Sequence, residues 1–307
     1  MKRTVYFLWF AAFTFFSCEQ FLEIELGDQE IKMVMYSSLT PGDTIKVYLS
    51  ESQSILADRR EMTLIKNATV YLADRSGHTI SLEYMERSHP FQEEHGYYWT
   101  TDFDIQENEE IKLTAEHPLY PSVESFVTIP EKVMITEVEA IPMGSVQNFG
   151  ENEMVEFRIE FDDLPGNNYY VINGYATGTY WYYTSDTDSA QAFYNMELYL
   201  DPINSAFKPE FMYRSGLFIN DALLPDGQVT IVAKANLPKN IDFNIDIELA
   251  HVSESYFNYF LTGDLQLSTG GDPLAQPVQV YNNINNGFGV FKAKNPDVFT
   301  LEVFIKE

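Results

Sequence analysis

One cysteine, five histidines and 19 basic side chains are sparse in a chain of 307 residues, and each scarcity closes a class of function. With Cys18 as the only cysteine, no internal disulfide can staple the fold and no thiolate pair can hold a structural zinc, so stability must come from apolar burial. The closest histidines, His89 and His95, flank "HPFQEEH" with Glu93 and Glu94 between them. That spacing matches no standard zinc site, and a polar link between strands accounts for it equally well. Lys and Arg are outnumbered by 46 Asp and Glu, for a formal net charge of −27. Nucleic-acid binding rests on neutralising phosphates with cations, so nucleic acid is excluded as a partner. A basic-face attachment to anionic lipid is excluded for the same reason.

Catalytic signatures are missing too. The chain has no GxSxG nucleophile elbow, no HExxH, no Walker A loop and no GxGxxG. A glycosidase-type pair needs two carboxyls about 5 to 9 Å apart, and among so many carboxylates the sequence neither locates nor removes one. "TSDTDS" (residues 184–189) and "GGDP" (residues 270–273) offer oxygen ligands without the Asp, Gly and Glu spacing of an EF-hand loop, so surface turns explain them. No cofactor is expected.

Long hydrophobic runs are confined to the start. After Lys2 and Arg3, residues 4–16 carry no charge, and the run ends at Ser17 and Cys18. Spanning the hydrocarbon takes about 20 apolar residues. This run is shorter and is followed by Glu19, Glu23 and Glu25, which is the layout of a cleaved secretory signal peptide. A cysteine directly behind such a run resembles the bacterial lipobox. The expectation is a leader over residues 1–17, lipidation at Cys18 and a tether over residues 18–29. A diacyl thioether would then anchor the chain, since each buried methylene contributes about 0.8 kcal/mol and stable attachment takes more than one acyl chain. Phe15 and Phe16 stand where lipoboxes commonly carry Leu and a small residue. The acidic residues after Cys18 resemble a cell-surface export signal of Bacteroidetes-type bacteria, so both faces of the outer membrane stay open.

What is abundant is aromatic and alternating: 20 Tyr, 23 Phe and 3 Trp favour strands. In "MVEFRIEFDD", Val155, Phe157, Ile159 and Phe161 oppose Glu156, Arg158, Glu160 and Asp162, as in an antiparallel strand with one wet face. Seven such strands are expected near Ile31, Thr44, Thr69, Thr79, Tyr97, Ile111 and Val123. They predict an immunoglobulin-like β-sandwich over residues 30–130, then a junction in "PEKVMITEVEAIP" and a second β-rich domain over residues 131–307. "NYYVINGYATGTYWYYTSDTDSA" reads as a long hairpin with a polar tip. One aromatic helix is expected near residues 253–263, with Ser253 as its N-cap and Gly263 as its stop. Within "TYWYYT", Tyr180 and Tyr182 face one way and Trp181 and Tyr183 the other, which makes these four the candidate ligand-binding residues. Packing of a two-sided strand explains them as well.

The stretch "SESYFNYFLTGDLQLSTGGDPLAQPVQVYNNINNGFGVFKA" carries Tyr256, Tyr259, Gly271, Asp272, Pro273, Pro277, Val278, Asn283, Ile284, Gly287, Gly289 and Phe291 in an order that resembles the C-terminal signature of the domain of unknown function 4249 family of Bacteroidetes lipoproteins. "LTPGDTIKVYLSES", "NATVYLAD", "GYYWTTD" and "LTAEHPLYPSVESFVTIPE" extend the resemblance over most of the chain. "LAQPV" and Phe288 depart from it, where Phe with Glu, and Leu, are usual. The resemblance implies an exported outer-membrane lipoprotein often encoded beside TonB-dependent receptors, with no catalytic motif. The expected role is therefore a non-catalytic binding or accessory component of an outer-membrane transport system. Its partners would be a receptor or other envelope protein, and the membrane through the N-terminal lipid. The alternatives are a surface adhesin or scaffold lipoprotein, and a carboxylate-based hydrolase.

Overall fold

In a computed structural model, the described residues are 30–53, 62–86, 96–146, 152–183, 188–204, 207, 216–225, 227–269, 276 and 278–305. Cys18, the tether to residue 29, His89, His95, Gly271, Asp272, Pro273 and Pro277 lie outside them. From Ile31 onward the chain forms one compact unit. It is mainly β, with a single α-helix among the described residues. That helix is not long and apolar enough to cross a membrane.

Strands β1 (Met33–Leu39) and β2 (Ile45–Glu51) bury alternate residues, as their sequence period dictates. β3 (Thr69–Ala73), β4 (Thr79–Ser81), β5 (Glu83–Met85), β6 (Tyr97–Thr100), β7 (Glu110–His117) and β8 (Tyr120–Thr128) follow. The additional strand beyond those expected is β5. It spans only Glu83–Met85 and pairs with Tyr97, Tyr98 and Trp99 of β6, too short a segment for alternation to show.

The second half comprises β9 (Ile135–Val146), β10 (Asn152–Asp162), β11 (Tyr169–Tyr183), β12 (Ser189–Leu198), β13 (Asp201–Pro202), β14 (Leu217–Asn220), β15 (Gln228–Pro238), β16 (Asp242–Val252), helix α1 (Glu254–Thr269) and β17 (Phe288–Phe304). Here the expected junction is corrected: most of "PEKVMITEVEAIP" is β9, an edge strand paired with β10. Register shifts at Met154/Val155 and Glu160/Phe161 interrupt the pairing, and bulges of this kind obscure the two-residue period that would have marked the strand.

Three sheets build two cores. The long sheet runs β12-β11-β16-β17-β1-β2-β6-β5, with β14 added on β11. The sheet β4-β3-β7-β8 contributes Leu72, Leu113 and Val123 to one core, with Met35, Val47 and Phe291 from the long sheet. The sheet β13-β15-β10-β9 contributes Phe157, Phe161 and Ile231 to the other, with Ile172, Phe243 and Leu249 from the long sheet. β17 belongs to both. Its first residues pair in parallel with β1, Val34↔Phe288 to Leu39↔Ala293, and the rest pairs antiparallel with β16 from Val252↔Lys294 to Asp242↔Phe304.

Helix α1 starts as expected and ends later. The Ser253 hydroxyl accepts the Tyr256 N–H at 3.2 Å, satisfying one of the first-turn donors, and also the Ala293 N–H of β17 at 3.0 Å. Gly263 does not stop the helix, which continues to Thr269. A mid-helix glycine costs about 1 kcal/mol relative to alanine, and tertiary contacts override a penalty of that size. Here the returning chain is bonded to the helix on both sides of Gly263, through Tyr281 N–H to the Thr262 hydroxyl (2.8 Å) and Val278 N–H to Gln266 Oε1 (3.1 Å).

Candidate functional site

The outer face of the long sheet is only partly covered. At one end, Val171 of β11 and Ala250 and Val252 of β16 are packed by Phe257 of α1, with Tyr169, Phe218 and Tyr256 around them. Toward the other end of the same strands the helix gives way to an open face. Register places its residues in rows: Phe193, Thr179, Asp242 and Phe304; then Asn195, Thr177, Asn244 and Glu302; then Glu197, Tyr175, Asp246 and Thr300. Side chains directly across adjacent strands share one face, so these rows form a surface of carboxylates and amides bordered by rings.

The hairpin of β11 and β12 is where the sequence placed its candidate residues. Trp181 is 68% exposed and Phe193 is 84% exposed. They are diagonal neighbours, since Thr179 pairs with Phe193 and Trp181 with Gln191. Tyr180 lies on the opposite side of the strand and is marginally exposed. Tyr182 and Tyr183 continue β11, and their side chains lie outside the described residues. β12 is the edge of the sheet, with no described strand on its outer side and neither Lys nor Pro in its sequence. Natural proteins usually blunt such an edge with those residues.

Several charges on this face are held in place. Asp246 accepts the Thr300 hydroxyl at 2.6 Å, and Glu248 accepts Asn173 Nδ2 at 3.1 Å and Lys294 Nζ at 3.2 Å. Alternation in "FNIDIELA" puts Asn244, Asp246 and Glu248 on the polar side that forms this surface. Phe193 was not among the expected residues, although it falls in phase with Asn195 and Glu197 on the polar side of "AQAFYNMEL".

A second concavity of about 570 Å3 opens at the start of α1, between the edge of the first core and the cluster that α1 packs. Asn108, the end of β8 with the residues after it, the start of β11, the end of β16 with the start of α1, and the segment before β17 supply its walls. His251 lines it, nine-tenths buried, with Nδ1 2.8 Å from the Glu131 carbonyl. A carbonyl only accepts, so Nδ1 carries the proton. Burial holds this imidazole below the ordinary histidine range, although the Glu131 carbonyl and the charges of Glu131, Asp163 and Asp221 pull the other way. The unfolded chain therefore binds the proton more readily than the folded one. Stability should be complete above the unfolded histidine pKa of about 6.5 and should fall as pH drops through that value toward the lower folded one. Urea midpoints at pH 7.5 and 5.5 should show this loss in the parent and a smaller one in His251→Gln.

The other two described histidines stand elsewhere. His78 stacks on Phe103 at 5.9 Å beside Asp74, and His117 bonds Asn67 at 2.9 Å and stacks on Tyr120. Among the described residues no group of three or more His, Cys, Asp or Glu is placed to hold a metal ion.

Comparison with curated proteins gives no match. A family model described as a domain of unknown function (DUF4249) matches residues 19–299, so that single match takes in most of both cores, Trp181 and Phe193, and the whole cleft. On that span, the chain belongs to the DUF4249 family.

Proposed function

We propose that this chain is an exported lipoprotein, anchored through Cys18, that serves as a non-catalytic binding or accessory component of an outer-membrane transport system of the TonB-dependent receptor type. The open half of the long sheet is its partner-facing surface. The observation that carries this reading is the pair of highly exposed rings, Trp181 and Phe193, set beside a field of carboxylates on a rigid sheet. Aromatic anchors of this kind dominate interface energetics, and a face bearing Asp242, Asp246, Glu197 and Glu302 favours a partner with basic groups.

Magnitudes limit what this face does alone. Four strands at about 4.8 Å spacing and eight residue steps at about 3.3 Å give a footprint of roughly 14 by 26 Å. That is about half of the ~800 Å2 per partner in a standard interface. The free edge of β12 adjoins it and supplies backbone N–H and C=O groups to an extended segment of the partner.

The test is recovery of the full chain, expressed with its leader, from membranes after cross-linking. A diacylated Cys18 and a stoichiometric outer-membrane receptor are expected, and the Trp181→Ala/Phe193→Ala double variant should recover at least tenfold less receptor at unchanged thermal stability. An unmodified thiol would remove the anchor. Isolation of the lipidated chain without a receptor would favour the adhesin or scaffold reading.

A further inference from the structure

We propose that the cleft at the start of α1 binds a small organic cation, an amine attached to an apolar body. Its volume of about 570 Å3 lies within the ~300 to 1,000 Å3 common for small-ligand sites. The chemistry of its wall is one-sided. Glu131 and Glu254 line it and no Lys or Arg does. The Tyr169 and Tyr281 phenols also line it. Burial raises both, and the Glu254 carboxylate raises each further. Lys112 sits over the Phe126 ring and is paired with Glu124 at 2.6 Å, and Lys132, next to Glu131 in the chain, is paired with Asp297 at 3.0 Å.

A histidine lone pair is the second, independent sign. With Nδ1–H committed to Glu131, the remaining nitrogen of His251, Nε2, bears a lone pair and has no bonding partner among the described residues. His251 is nine-tenths buried and lines the cleft, where Nε2 can accept an N–H from a ligand. The ammonium would meet Glu254, with Glu131 also in the wall, and the faces of Tyr169 and Tyr281, where cation–π attraction adds to ion pairing. Phe126, Ile129 and Val252 would receive the apolar body.

The N-terminus of α1 also reaches this cleft, and a helix start ordinarily favours anions. Here that preference is answered within the chain. Ser253 takes the Tyr256 and Phe257 N–H groups through its hydroxyl and carbonyl, and Glu254 already places a carboxylate in the first turn. An incoming anion would meet two carboxylates.

Titration calorimetry of the purified full-length chain against phenethylamine, cadaverine and spermidine tests the proposal. 2-Phenylethanol and 3-phenylpropanoate serve as the neutral and anionic counterparts. At least one amine is expected to bind saturably with one site, at least tenfold more tightly than the alcohol, and the carboxylate is expected not to bind. Glu254→Gln should weaken the amine at least fivefold while thermal melting stays within a few degrees. Because the open sheet face is acidic and aromatic too, the Trp181→Ala/Phe193→Ala variant locates the site: unchanged amine affinity supports the cleft. Loss of amine binding in that variant, equal binding of the alcohol, binding of the carboxylate, an unaffected Glu254→Gln, or no saturable binding by any of the three amines would overturn the proposal.

Discussion

Gly289→Ala is expected to cost more than about 4 kcal/mol, a loss in the range reserved for mutations that break a fold's central packing. Gly289 sits in β17 opposite Met35 of β1 with φ +116°, a backbone region that side chains rarely adopt. An added Cβ would lie 2.1 Å from the Met35 carbonyl oxygen and 2.9 Å from its carbon. Both are backbone atoms of a paired strand, so no rotamer change relieves the clash. The β1–β17 ladder would have to part, and with it would go Phe291 and Ala293, which are fully buried in the first core. Gly77→Ala provides the control, because Gly77 also has positive φ (+89°) but nothing within 4 Å of the new methyl. It should cost only about 1 to 2 kcal/mol. Urea unfolding of the two variants, followed by tryptophan fluorescence, makes the comparison. Equal losses would mean that the pairing yields to a methyl group and that the close approach is not what holds β17 to β1.

Lys292→Ala should cost about 3 kcal/mol, the sum of a desolvated cation–π contribution of about 2 and part of the ~0.8 per methylene of its stem. Lys292 is only 2% exposed, on β17 opposite Ser38. Its ammonium lies 3.9 Å from the ring centre of Phe260, 4.4 Å from Tyr256, 4.9 Å from Tyr36 and 5.8 Å from Tyr259. One ring comes from β1 and three from α1, so the charge gathers the helix's aromatic side onto the sheet. Lys292→Met keeps the stem and removes the charge. Since a buried charge carries its own desolvation cost, methionine should lose less than half of what alanine loses. Hydrogen exchange adds a local readout: amides of α1 should open faster in Lys292→Ala, while those of β10 and β15 in the second core keep their relative protection. An alanine variant as stable as the parent would show that the helix is held by apolar contacts alone.

The extent to which the sequence disclosed the molecule follows from the range of each signal. Alternation in "TIKVYLS" and "MVEFRIEFDD" is a property of neighbouring residues, and β2 and β10 formed there with the expected faces buried. The Ser253 cap is equally local and held. Signals failed where a distant partner decides. Gly263 looked like a stop until the segment around Tyr281 came back to bond the helix, and β9 hid behind bulges that only its pairing with β10 explains. Lys292 interrupts the apolar run "GVFKAK", a visible anomaly whose meaning required Tyr36 and the α1 rings to be in place.

The sequence alone therefore determined the β-rich class, the start of the one helix, the alternation that turns Trp181 and Tyr180 to opposite sides, and the family of the chain. Tertiary structure decided the rest. Periodicity states which side of a strand is apolar without naming the strand beside it. The parallel union of β1 with β17 brings together residues about 250 positions apart, and the cleft draws on five separate segments of chain. Whether the polar side of β11 stays open depended on where α1 comes to rest: it covers Val171 and stops short of Trp181, because its apolar rings follow Ala250, Val252 and Lys292 and not the acidic rows beyond them.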